Sequence, residues 1–536
     1  MRIIIIGDGI AGLSAAITAA VNGAEVFIYS HSMSAHSQSV MAEGGINAAL
    51  NTKGENDSPA IHKDDTIKAG CFLADEKAVE DLTNAAPDLV RYLGNRGVVF
   101  NRDENGNINL RPFGGQSKIR TAFANAGIGR QIVFALLGEL RKRIAAGNVS
   151  IIVTKDFVTP LLGNDGQIVG AVFKDRTTLE TEAVAADAVV VCSGGMAGFF
   201  KRCTGSLLND GNVTASLFTA GAKLANLEMI QYHPTTITTS KKQMLISESA
   251  RGEGGRLFTI RNGERWYFMD EWYPEKGSLM PRDVVSRAIY KVTHDMHLGI
   301  DGGDAVGLDC TVLSSSVISE RLHEIWKKVH LYLGKDIKKE YIPVTPGIHY
   351  FMGGLYVDRY HRASIRGLYA AGEAACQYHG ANRLGGNSTL GALYGGKRAA
   401  ITAIADYKKS ATPEEFNDSV ASFRTVIEMK EKRLLQCQER EHVREILTRH
   451  LGIIRNEDDL KQGVEDLKTF ENGYVSDAVL LAKAILLSAL ERRESRGAHT
   501  RADYPETRDE FRKTTVASFV DGGVSITFEE IGREFS

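Results

Sequence analysis

The stretch Gly7-Asp8-Gly9-Ile10-Ala11-Gly12 decides the fold of this chain. It comes directly after the apolar run Ile3–Ile6 and before Leu13–Asn22, whose apolar residues suit a helix, and a second apolar run follows at Glu25–Tyr29. Strand, glycine turn, helix and strand in this order form a βαβ unit, the repeating element of parallel α/β folds. The sequence therefore predicts a Rossmann-like α/β domain here.

The three glycines of this turn have separate tasks in a dinucleotide site. Gly7 permits the tight turn, Gly9 lets the backbone approach a pyrophosphate, and Gly12 lets the helix pack closely on the strand. The helix N-terminus then offers free N–H groups and a partial positive charge to the phosphates. The second strand ends at Ser30 instead of an acidic residue, which weakens an interpretation as an NAD site, where a carboxylate holds the ribose.

The composition is that of an ordinary globular protein. Hydrophobic residues make up 43% and charged residues 24% of the chain. Its 536 residues exceed what one hydrophobic core holds, so about two to four domains are expected. The formal net charge of −2 gives no basis for binding nucleic acid or an anionic membrane surface.

The cysteines and the apolar runs bear on metals and location. Six cysteines stand far apart without a CxxC pair, so the sequence predicts no zinc or iron–sulfur site within this chain. Their low density suits a reducing cytosol. The first apolar run is too short for a signal peptide, and no stretch approaches the ~18 to 20 apolar residues of a membrane span. We expect a cytoplasmic protein, either free or held peripherally on the cytoplasmic membrane through partner subunits.

The patterns along the chain indicate a modular organisation. Ser150–Val158 predicts one strand, and Thr412–Glu494 carries leucines and isoleucines at helical spacing, as in a helical bundle. The stretch between about Thr236 and Tyr341 has few clean periods and is interpreted as an inserted lid. The expected segments are a nucleotide-binding domain in two parts at 1–235 and 342–408, a capping domain at 236–341, a helical domain at 409–500 and a C-terminal segment at 501–536.

Eight further segments carry a family resemblance, and they span nearly the whole chain. They are Ser37–Asn47, Gln231–Thr235, Ser247–Gly255, Pro281–Arg287, His349–Gly354, Gly367–Glu373, His379–Leu384 and Glu494–His499. In content and in order they resemble the flavoproteins of succinate dehydrogenase, fumarate reductase and L-aspartate oxidase. The resemblance implies an α/β FAD-binding domain, an inserted α+β capping domain, a C-terminal helical domain and FAD as the cofactor.

The same motifs imply which residues contact the cofactor. By their positions, the residues expected at FAD are Gly7, Gly9, Ile10, Ala11, Gly12, Ser30, Ser37, Ser39, Ala42, Gly44, Gly45, Val158, Asp210, Glu373, Asn387, Ser388 and Leu390.

The substrate implied by the resemblance is a small dicarboxylate. Such a molecule needs cationic or hydrogen-bonding groups at both ends, and arginine suits a carboxylate because its planar fork gives two charge-assisted bonds. Arg383 is such a group, and His233, Ser247 and His349 supply neutral or switchable donors. In the resembled family, the equivalent residues hold the two carboxylates and twist the substrate beside the flavin.

The proton donor implied by the resemblance is Arg282. Glu248 and Arg251 match the relay that returns its proton. A free guanidinium, with a pKa above ~12, hardly gives up a proton. The role becomes feasible where a second positive charge lies close and water is excluded.

Gln38 bears on how the flavin is attached. In most succinate dehydrogenases and fumarate reductases, a histidine at this position bonds covalently to FAD. His36 is a poor substitute, because two residues shift the ring by roughly 6 to 7 Å along an extended chain. The sequence therefore predicts non-covalent FAD. This favours fumarate reduction over succinate oxidation, since the covalent bond is associated with a higher flavin potential.

L-aspartate oxidase is the main alternative, because its FAD is also non-covalent. In that enzyme a glutamate for the substrate ammonium stands where this chain has Phe113, and a phenyl ring is a weaker partner for a cation. Arg496–His499 followed by Asp503–Pro505 also looks more like the fumarate reductase pattern. A third hypothesis, a flavoprotein scaffold without catalysis, is disfavoured by the retained Arg282 and Glu248.

Electrons must reach the flavin from another molecule. This chain has neither an NAD motif nor cluster cysteines, and the resemblance implies a separate iron–sulfur subunit, with a membrane anchor as a further partner. A lone enzyme with a small-molecule donor is the alternative.

Overall fold

The computed structural model describes residues 1–124, 127–239, 242–433, 437–470 and 475–535. The helices in this part of the chain are α1 Ile10–Val21, α2 Pro59–Ala69, α3 Glu76–Gly94, α4 Ile128–Ala145, α5 Asn212–Thr219, α6 Ser249–Gly252, α7 Phe268–Trp272, α8 Arg282–Tyr290, α9 Ser315–Arg321, α10 His323–Leu333, α11 Asn387–Asp406, α12 Pro413–Arg433, α13 Cys437–His450, α14 Glu457–Leu467 and α15 Asp477–Glu491.

The strands fall into several sheets. They are β1 Arg2–Ile6, β2 Glu25–Tyr29, β3 Ile46–Asn47, β4 Leu110–Arg111, β5 Thr121–Ala122, β6 Val149–Ile152, β7 Lys155–Leu162, β8 Ile168–Asp175, β9 Thr181–Ala185, β10 Ala188–Val191, β11 Leu224–Ala225, β12 Ile230–Thr238, β13 Gln243–Leu245, β14 Arg256–Arg261, β15 Glu264–Trp266, β16 Val306–Asp309, β17 Ile342–Phe351, β18 Gly354–Tyr356, β19 Leu368–Ala370, β20 Ala375–Cys376, β21 Ile454–Arg455, β22 Thr500–Arg501, β23 Thr514–Val520 and β24 Gly523–Glu529.

The predicted βαβ unit lies at the centre of a parallel sheet. The strand order is β19-β10-β1-β2-β6, and every pairing in it is parallel. Ile4 of β1 stands between Val189 of β10 and Phe27 of β2 and is fully buried. Strands buried on both faces are apolar throughout, which explains the run of isoleucines before the glycine turn.

The predicted strand Ser150–Val158 is two strands in the structure. β6 ends at Ile152 in the parallel sheet, and β7 begins at Lys155 in an antiparallel sheet with β8 and β9. Thr154, between them, has a φ of +62°. A left-handed residue reverses the chain direction locally, and this turn moves the chain from one sheet to the other.

Residues 236–341, the expected capping domain, contain more regular structure than their sequence indicates. A six-stranded sheet in the order β13-β12-β17-β16-β14-β15 packs with helices α7 to α10 around a separate apolar core. Leu257, Ile289 and Val344 are fully buried in it. The long strands β12 and β17 pair with each other and connect this core to the nucleotide-binding part.

The C-terminal part adds helices and a hairpin. α12 packs on β7 and β8, whereas α13, α14 and α15 pack on one another. The hairpin of β23 and β24 joins a sheet in the order β20-β18-β11-β23-β24. Next to it the buried Glu228 accepts hydrogen bonds from Arg492 Nε at 2.6 Å and from Thr515 Oγ1 at 2.7 Å. The C-terminal segment is thus part of the core.

Among the residues that the structure describes, none of the helices combines the length and the apolar character needed to cross a membrane.

Candidate active site

One continuous cavity extends from the glycine turn to the inner face of residues 236–341. It brings together most of the predicted site residues, which come from distant parts of the sequence. Those that line it are Gly7, Gly9, Ile10, Ala11, Ser30, Ser37, Ser39, Ala42, Gly44, Gly45, Phe113, His233, Ser247, Glu248, Arg282, His349, Glu373, Arg383 and Ser388.

The glycine turn has the geometry that its sequence predicts. Gly7 has a φ of +101°, and a Cβ atom on Gly12 would collide with the Gly7 carbonyl oxygen. Gly12 therefore serves the close packing of α1 on the turn and does not itself line the cavity. Ile10, at the start of α1, donates its backbone N–H to Ser39 Oγ at 3.1 Å. This bond ties the helix N-terminus to the segment that carries Ser37 and Gln38.

Asp8, inside the turn, is a site residue that the sequence reasoning missed. Its carboxylate is buried and accepts hydrogen bonds from Ser30 Oγ and Ser34 Oγ, both at 2.8 Å. Burial raises the pKa of Asp8 and outweighs the two hydroxyl donors, which lower it. The end of β2 thus does meet a carboxylate, but one supplied by the turn. The acidic residue inside the glycine turn was the sequence feature that could have predicted this site residue.

Several predicted cofactor residues do not line the cavity. Val158 lies on β7 beside Phe157, which does line it; because side chains alternate along a strand, Val158 packs with Val169 on the opposite face. Asp210 bonds Arg440 at 2.7 Å. Leu390 is fully buried in the core around α1 and α11.

Asn387 is also outside the cavity lining. Its Nδ2 donates to Thr66 Oγ1 at 2.9 Å, and its Oδ1 accepts from Asn47 Nδ2 at 2.7 Å and lies 3.0 Å from His62 Nε2. These bonds hold the loop before α11, so the structure gives Asn387 a supporting position behind the cavity wall.

The three residues predicted for proton transfer lie together. Arg282, at the start of α8, donates from Nε to Glu248 Oε2 at 2.9 Å, and its Nη2 lies 2.8 Å from the same oxygen. Glu248 Oε1 accepts the Gly114 N–H at 2.9 Å and lies 3.7 Å from Arg251 Nη2. All three side chains are buried. Arg282 and Glu248 line the cavity, and Arg251 lies behind them with its Nη1 donating to Ser278 O at 2.6 Å.

Burial and the neighbouring charges shift the pKa values of Glu248 and Arg251. Burial raises the pKa of Glu248, but the neighbouring Arg282 and Arg251 outweigh it and bring the pKa below its usual value. Burial lowers the pKa of Arg251, with Glu248 opposing and Arg282 adding to the change. Two guanidinium groups therefore share one carboxylate away from water, which is the condition under which an arginine gives up a proton more readily.

Two histidines face the same end of the cavity. The His233 and His349 rings lie 5.1 Å apart, edge to face. Burial, reinforced by Arg282, holds the pKa of each well below 6.5, so both rings are neutral near pH 7. His349 Nδ1 lies 2.8 Å from Thr204 Oγ1, and His233 Nε2 is buried without a partner among the described residues.

Arg383 completes the polar end of the cavity. Its guanidinium lies 4.3 Å from the centre of the Tyr350 ring, and its Nε has no partner in the described part of the chain. Burial lowers the pKa of Arg383 to about 9, with Arg282 adding to the effect. A buried cation with an unused donor is a site for an anion.

Phe113 forms an apolar wall of this end. The ring is 3% exposed and stands between Gly44 and Gly385, where an added Cβ atom would lie 3.0 Å and 2.9 Å from ring carbons. The site thus has positive and neutral donors opposite an apolar face, which suits a flat, doubly anionic molecule.

Comparison with known proteins identifies the family of this chain. The FAD binding domain family matches residues 2–389, and the family described as fumarate reductase flavoprotein C-term matches residues 468–535. The succinate dehydrogenase flavoprotein subunit of Bacillus subtilis is 36% identical, over 98% of this chain and 95% of its own length. The L-aspartate oxidase of Pyrococcus horikoshii is 35% identical, over 96% and 98%.

A solved structure agrees with these relatives. The flavoprotein chain of quinol fumarate reductase from E. coli superimposes with a TM-score of 0.88 at 26% identity, over 99% of this chain and 97% of its own. The chain belongs to the succinate dehydrogenase and fumarate reductase flavoprotein family. It is an FAD-binding oxidoreductase, and the predicted fold class is confirmed.

The residues of this flavoprotein fit FAD. The cavity is continuous from a helix N-terminus, which suits a pyrophosphate, to a polar end whose buried His233 Nε2 and Arg383 Nε have no partner among the residues that the structure describes. Gly7 and Gly9 line the cavity with backbone alone. Glu373, which accepts the Phe351 N–H at 3.0 Å, lines the middle, and burial raises its pKa to about 7.

Two further polar residues of the flavoprotein site were not predicted. Gln231 Oε1 accepts a hydrogen bond from Arg282 Nη1 at 3.0 Å. Its position two residues before His233 could have predicted this contact, because residues two apart on a strand have their side chains on the same face. Lys328 of α10 lies 2.5 Å from Glu43 Oε1 and links residues 236–341 to the segment that carries Gly44. Neither sequence spacing nor pattern indicates that pair.

Proposed function

We propose that this protein reduces fumarate to succinate with non-covalently bound FAD. The observation that carries the proposal is the position of Arg282, which lies on the cavity surface in a two-point contact with the buried Glu248. It shares this end of the cavity with His233, His349 and Arg383, the groups suited to carboxylates.

The dicarboxylate is held at both ends. Arg383 takes one carboxylate through its guanidinium, whose Nε has no partner among the described residues, and Tyr350 fixes the plane of that group from 4.3 Å. His233, His349 and Ser247 donate to the other. Because the two histidines are neutral near pH 7, they contribute hydrogen bonds without adding charge.

Proton delivery is the task of Arg282. When bound, reduced FAD supplies the hydride to one alkene carbon of fumarate. Arg282 gives a proton to the other carbon, so that the double bond becomes a single bond and succinate forms. A proton then passes from Arg251, 3.7 Å behind Glu248, through the Glu248 carboxylate to Arg282, and Arg251 regains its proton from solvent. A positioned acid contributes something like ~10² to 10⁴ in rate.

The side chains of Gln38 and His36 bear on whether FAD is bound covalently. Both line the cavity, but His36 is exposed and Gln38 is half-buried. A carboxamide does not form the bond that a histidine forms, so the flavin stays non-covalent. The cofactor contacts are the cavity-lining residues of the turn, Ser30, Ser37 and Ser39, Gly44 and Gly45, Glu373 and Ser388.

L-aspartate oxidase is the second candidate, because a relative with that name is 35% identical to this chain. An ammonium group needs a carboxylate that is free to receive it. Phe113 is apolar, and Glu248 is already bonded to Arg282. These contacts support fumarate over aspartate.

The electron partner is proposed to be an iron–sulfur subunit, itself joined to a membrane anchor. The support is the name of the Bacillus subtilis relative, a flavoprotein subunit. Under this proposal the protein works on the cytoplasmic face of the membrane, and copurification from its native host tests the assembly.

The reaction can be tested with the purified flavoprotein. Its flavin is reduced anaerobically by light, fumarate is then added, and the absorbance near 450 nm is followed, while L-aspartate is added in air to a separate sample with oxidised flavin. We expect prompt reoxidation by fumarate only. Peroxide and ammonia formed from aspartate in air would support the oxidase instead, and silence in both assays would support a scaffold. Acid precipitation should leave all flavin in the supernatant.

A further inference from the structure

Two residues without a role in the proposed mechanism lie directly beside its two arginines. Asp283 follows Arg282 at the start of α8, and Asn382 precedes Arg383 in the loop after β20. Asn382 Nδ2 donates a hydrogen bond to Asp283 Oδ1 at 2.9 Å, and both side chains are buried. The contact joins the segment of the expected capping domain that carries Arg282 to the segment of the nucleotide-binding part that carries Arg383.

Gln231 extends this contact to the guanidinium of Arg282. Its Nε2 donates to Asn382 Oδ1 and to the Arg383 carbonyl oxygen, both at 2.8 Å. Its Oε1 accepts from Arg282 Nη1 at 3.0 Å. Because Asp283 is the chain neighbour of Arg282, the four side chains close into a ring.

Asp283 sets the orientation of the Asn382 amide and, together with the Arg383 carbonyl oxygen, that of the Gln231 amide. An ionised carboxylate only accepts, whereas an amide has one accepting end and one donating end. Asp283 therefore requires that Asn382 turn its Nδ2 toward it, which leaves Oδ1 for Gln231. Oδ1 accepts, so Gln231 offers its Nε2 there and presents its Oε1 to Arg282. In the reverse orientation, the NH₂ group of Gln231 would face the donors of the guanidinium.

A second anchor holds Asp283 itself. Its Oδ2 accepts from Arg287 Nη2 at 2.9 Å, and Arg287 Nη1 donates to the Gly497 carbonyl oxygen at 2.7 Å. The carboxylate is thereby fixed from α8 and from the C-terminal part of the chain. A fixed carboxylate gives Asn382 one orientation only.

We infer that Asp283 and Asn382 are positioning residues, which orient the Gln231 amide and thereby hold Arg282 in place for proton delivery. The inference rests on the proposed role of Arg282 as the acid. It assigns no contact with the substrate to either residue, so the chemical step depends on them and dicarboxylate binding does not.

The test exchanges the side chains of Asp283 and Asn382. Asp283→Asn replaces a group that accepts with both oxygens by an amide that accepts with only one, and Asn382→Asp sets two carboxylates against each other at hydrogen-bond distance. The double variant places the donor at 283 and the carboxylate at 382, so Gln231 again meets an acceptor. In fumarate reduction we expect each single variant to lower kcat roughly tenfold, the usual loss for one misplaced charge-assisted bond, with KM within about twofold. The double variant should recover kcat to within about threefold of the unmodified protein.

Asp295→Asn, an exposed position just beyond α8, is the matched control and should leave kcat unchanged. Wild-type kcat in both single variants, or losses that multiply in the double variant, would overturn the inference. A structural role alone would lower the melting temperature and the flavin content, which are measured in parallel, without recovery of kcat in the double variant. Failure of the proposed function shows separately, because the unmodified protein then does not reoxidise its flavin with fumarate.

Discussion

Arg282 meets Glu248 on a single oxygen. Nε and Nη2 both point to Oε2, at 2.9 and 2.8 Å, while Oε1 accepts the Gly114 N–H and faces Arg251. One carboxylate oxygen thus faces the proposed acid, and the other faces the next group of the proposed relay. Removing the charge at this position affects both tasks without changing the shape of the side chain.

Glu248→Gln should therefore lower kcat for fumarate reduction by ~10² or more while leaving flavin binding intact, because a carboxamide cannot return a proton to Arg282.

Arg282→Ala should abolish turnover and keep dicarboxylate binding. Steady-state kinetics and flavin content measure both. Glu324→Gln, 57% exposed on α10, is the matched control. Near-normal activity of Arg282→Ala would remove its role as the acid.

Phe113→Glu should weaken fumarate binding by about tenfold or more, because a third negative charge would face the dicarboxylate in a buried site. Phe113→Leu keeps the wall apolar and should change the affinity much less. Titration of the oxidised flavin spectrum with fumarate gives both dissociation constants. Equal affinities for the two variants would show that residue 113 does not face the substrate.

Gly12→Ala should abolish FAD retention, because the added methyl would collide with the Gly7 carbonyl and push α1 off the turn. Gly138, in the middle of α4, has open space where the methyl of an alanine would stand. Gly138→Ala should keep all flavin and stabilise the helix by ~0.5 to 1 kcal/mol. Flavin absorbance per mole of protein and thermal unfolding distinguish the two, and a flavin-loaded Gly12→Ala protein would contradict the packing role of Gly12.

His62 should make the protein sensitive to acid. Burial, with Arg120 nearby, lowers its pKa to about 3, so in the folded state the ring stays neutral below pH 6.5 while the unfolded state takes up a proton. Its contribution to stability is complete above pH 6.5 and is lost as the pH falls, by roughly 2 kcal/mol at pH 5.

His62→Gln keeps a donor near Asn387 Oδ1, which lies 3.0 Å from the ring, but cannot be protonated. Urea unfolding at pH 7 and pH 5 should show a smaller loss of stability for this variant than for the unmodified protein. Equal losses for the two proteins would mean that His62 is not the group that responds to acid.

The sequence predicted the elements that depend on local pattern. The glycine turn after four isoleucines identified the central βαβ unit, because the turn needs glycine and a strand between two others needs apolar residues on both faces. The apolar periodicity of Asp75–Asn95 and of Gly129–Ala146 predicts two helices, and α3 and α4 begin and end within one residue of these ranges. Thr154 was missed, since an ordinary residue with positive φ leaves no trace in the pattern.

Sequence motifs predicted residues that line the cavity when those residues lie inside a motif. They did not predict residues that only tertiary contacts bring there. Arg282, Glu248 and Arg383 were predicted from their positions inside the family motifs, and all three line the cavity. Val158 was placed in the site by motif position, but the strand turns its side chain to the opposite face from Phe157. The ring of Asp283, Asn382 and Gln231 joins three distant segments, and no local pattern reveals such a closure.

The pairing of Glu228 with Arg492 has a consequence for biosynthesis. Glu228 is synthesised 264 residues before its partner Arg492 and 287 residues before its partner Thr515. Until then this carboxylate lacks these two side-chain partners, and β11 lacks its neighbour β23. The nascent chain therefore cannot complete its nucleotide-binding half by vectorial folding. A ribosome stalled before residue 492 carries a partly folded intermediate. Such an intermediate is a typical substrate for a chaperone.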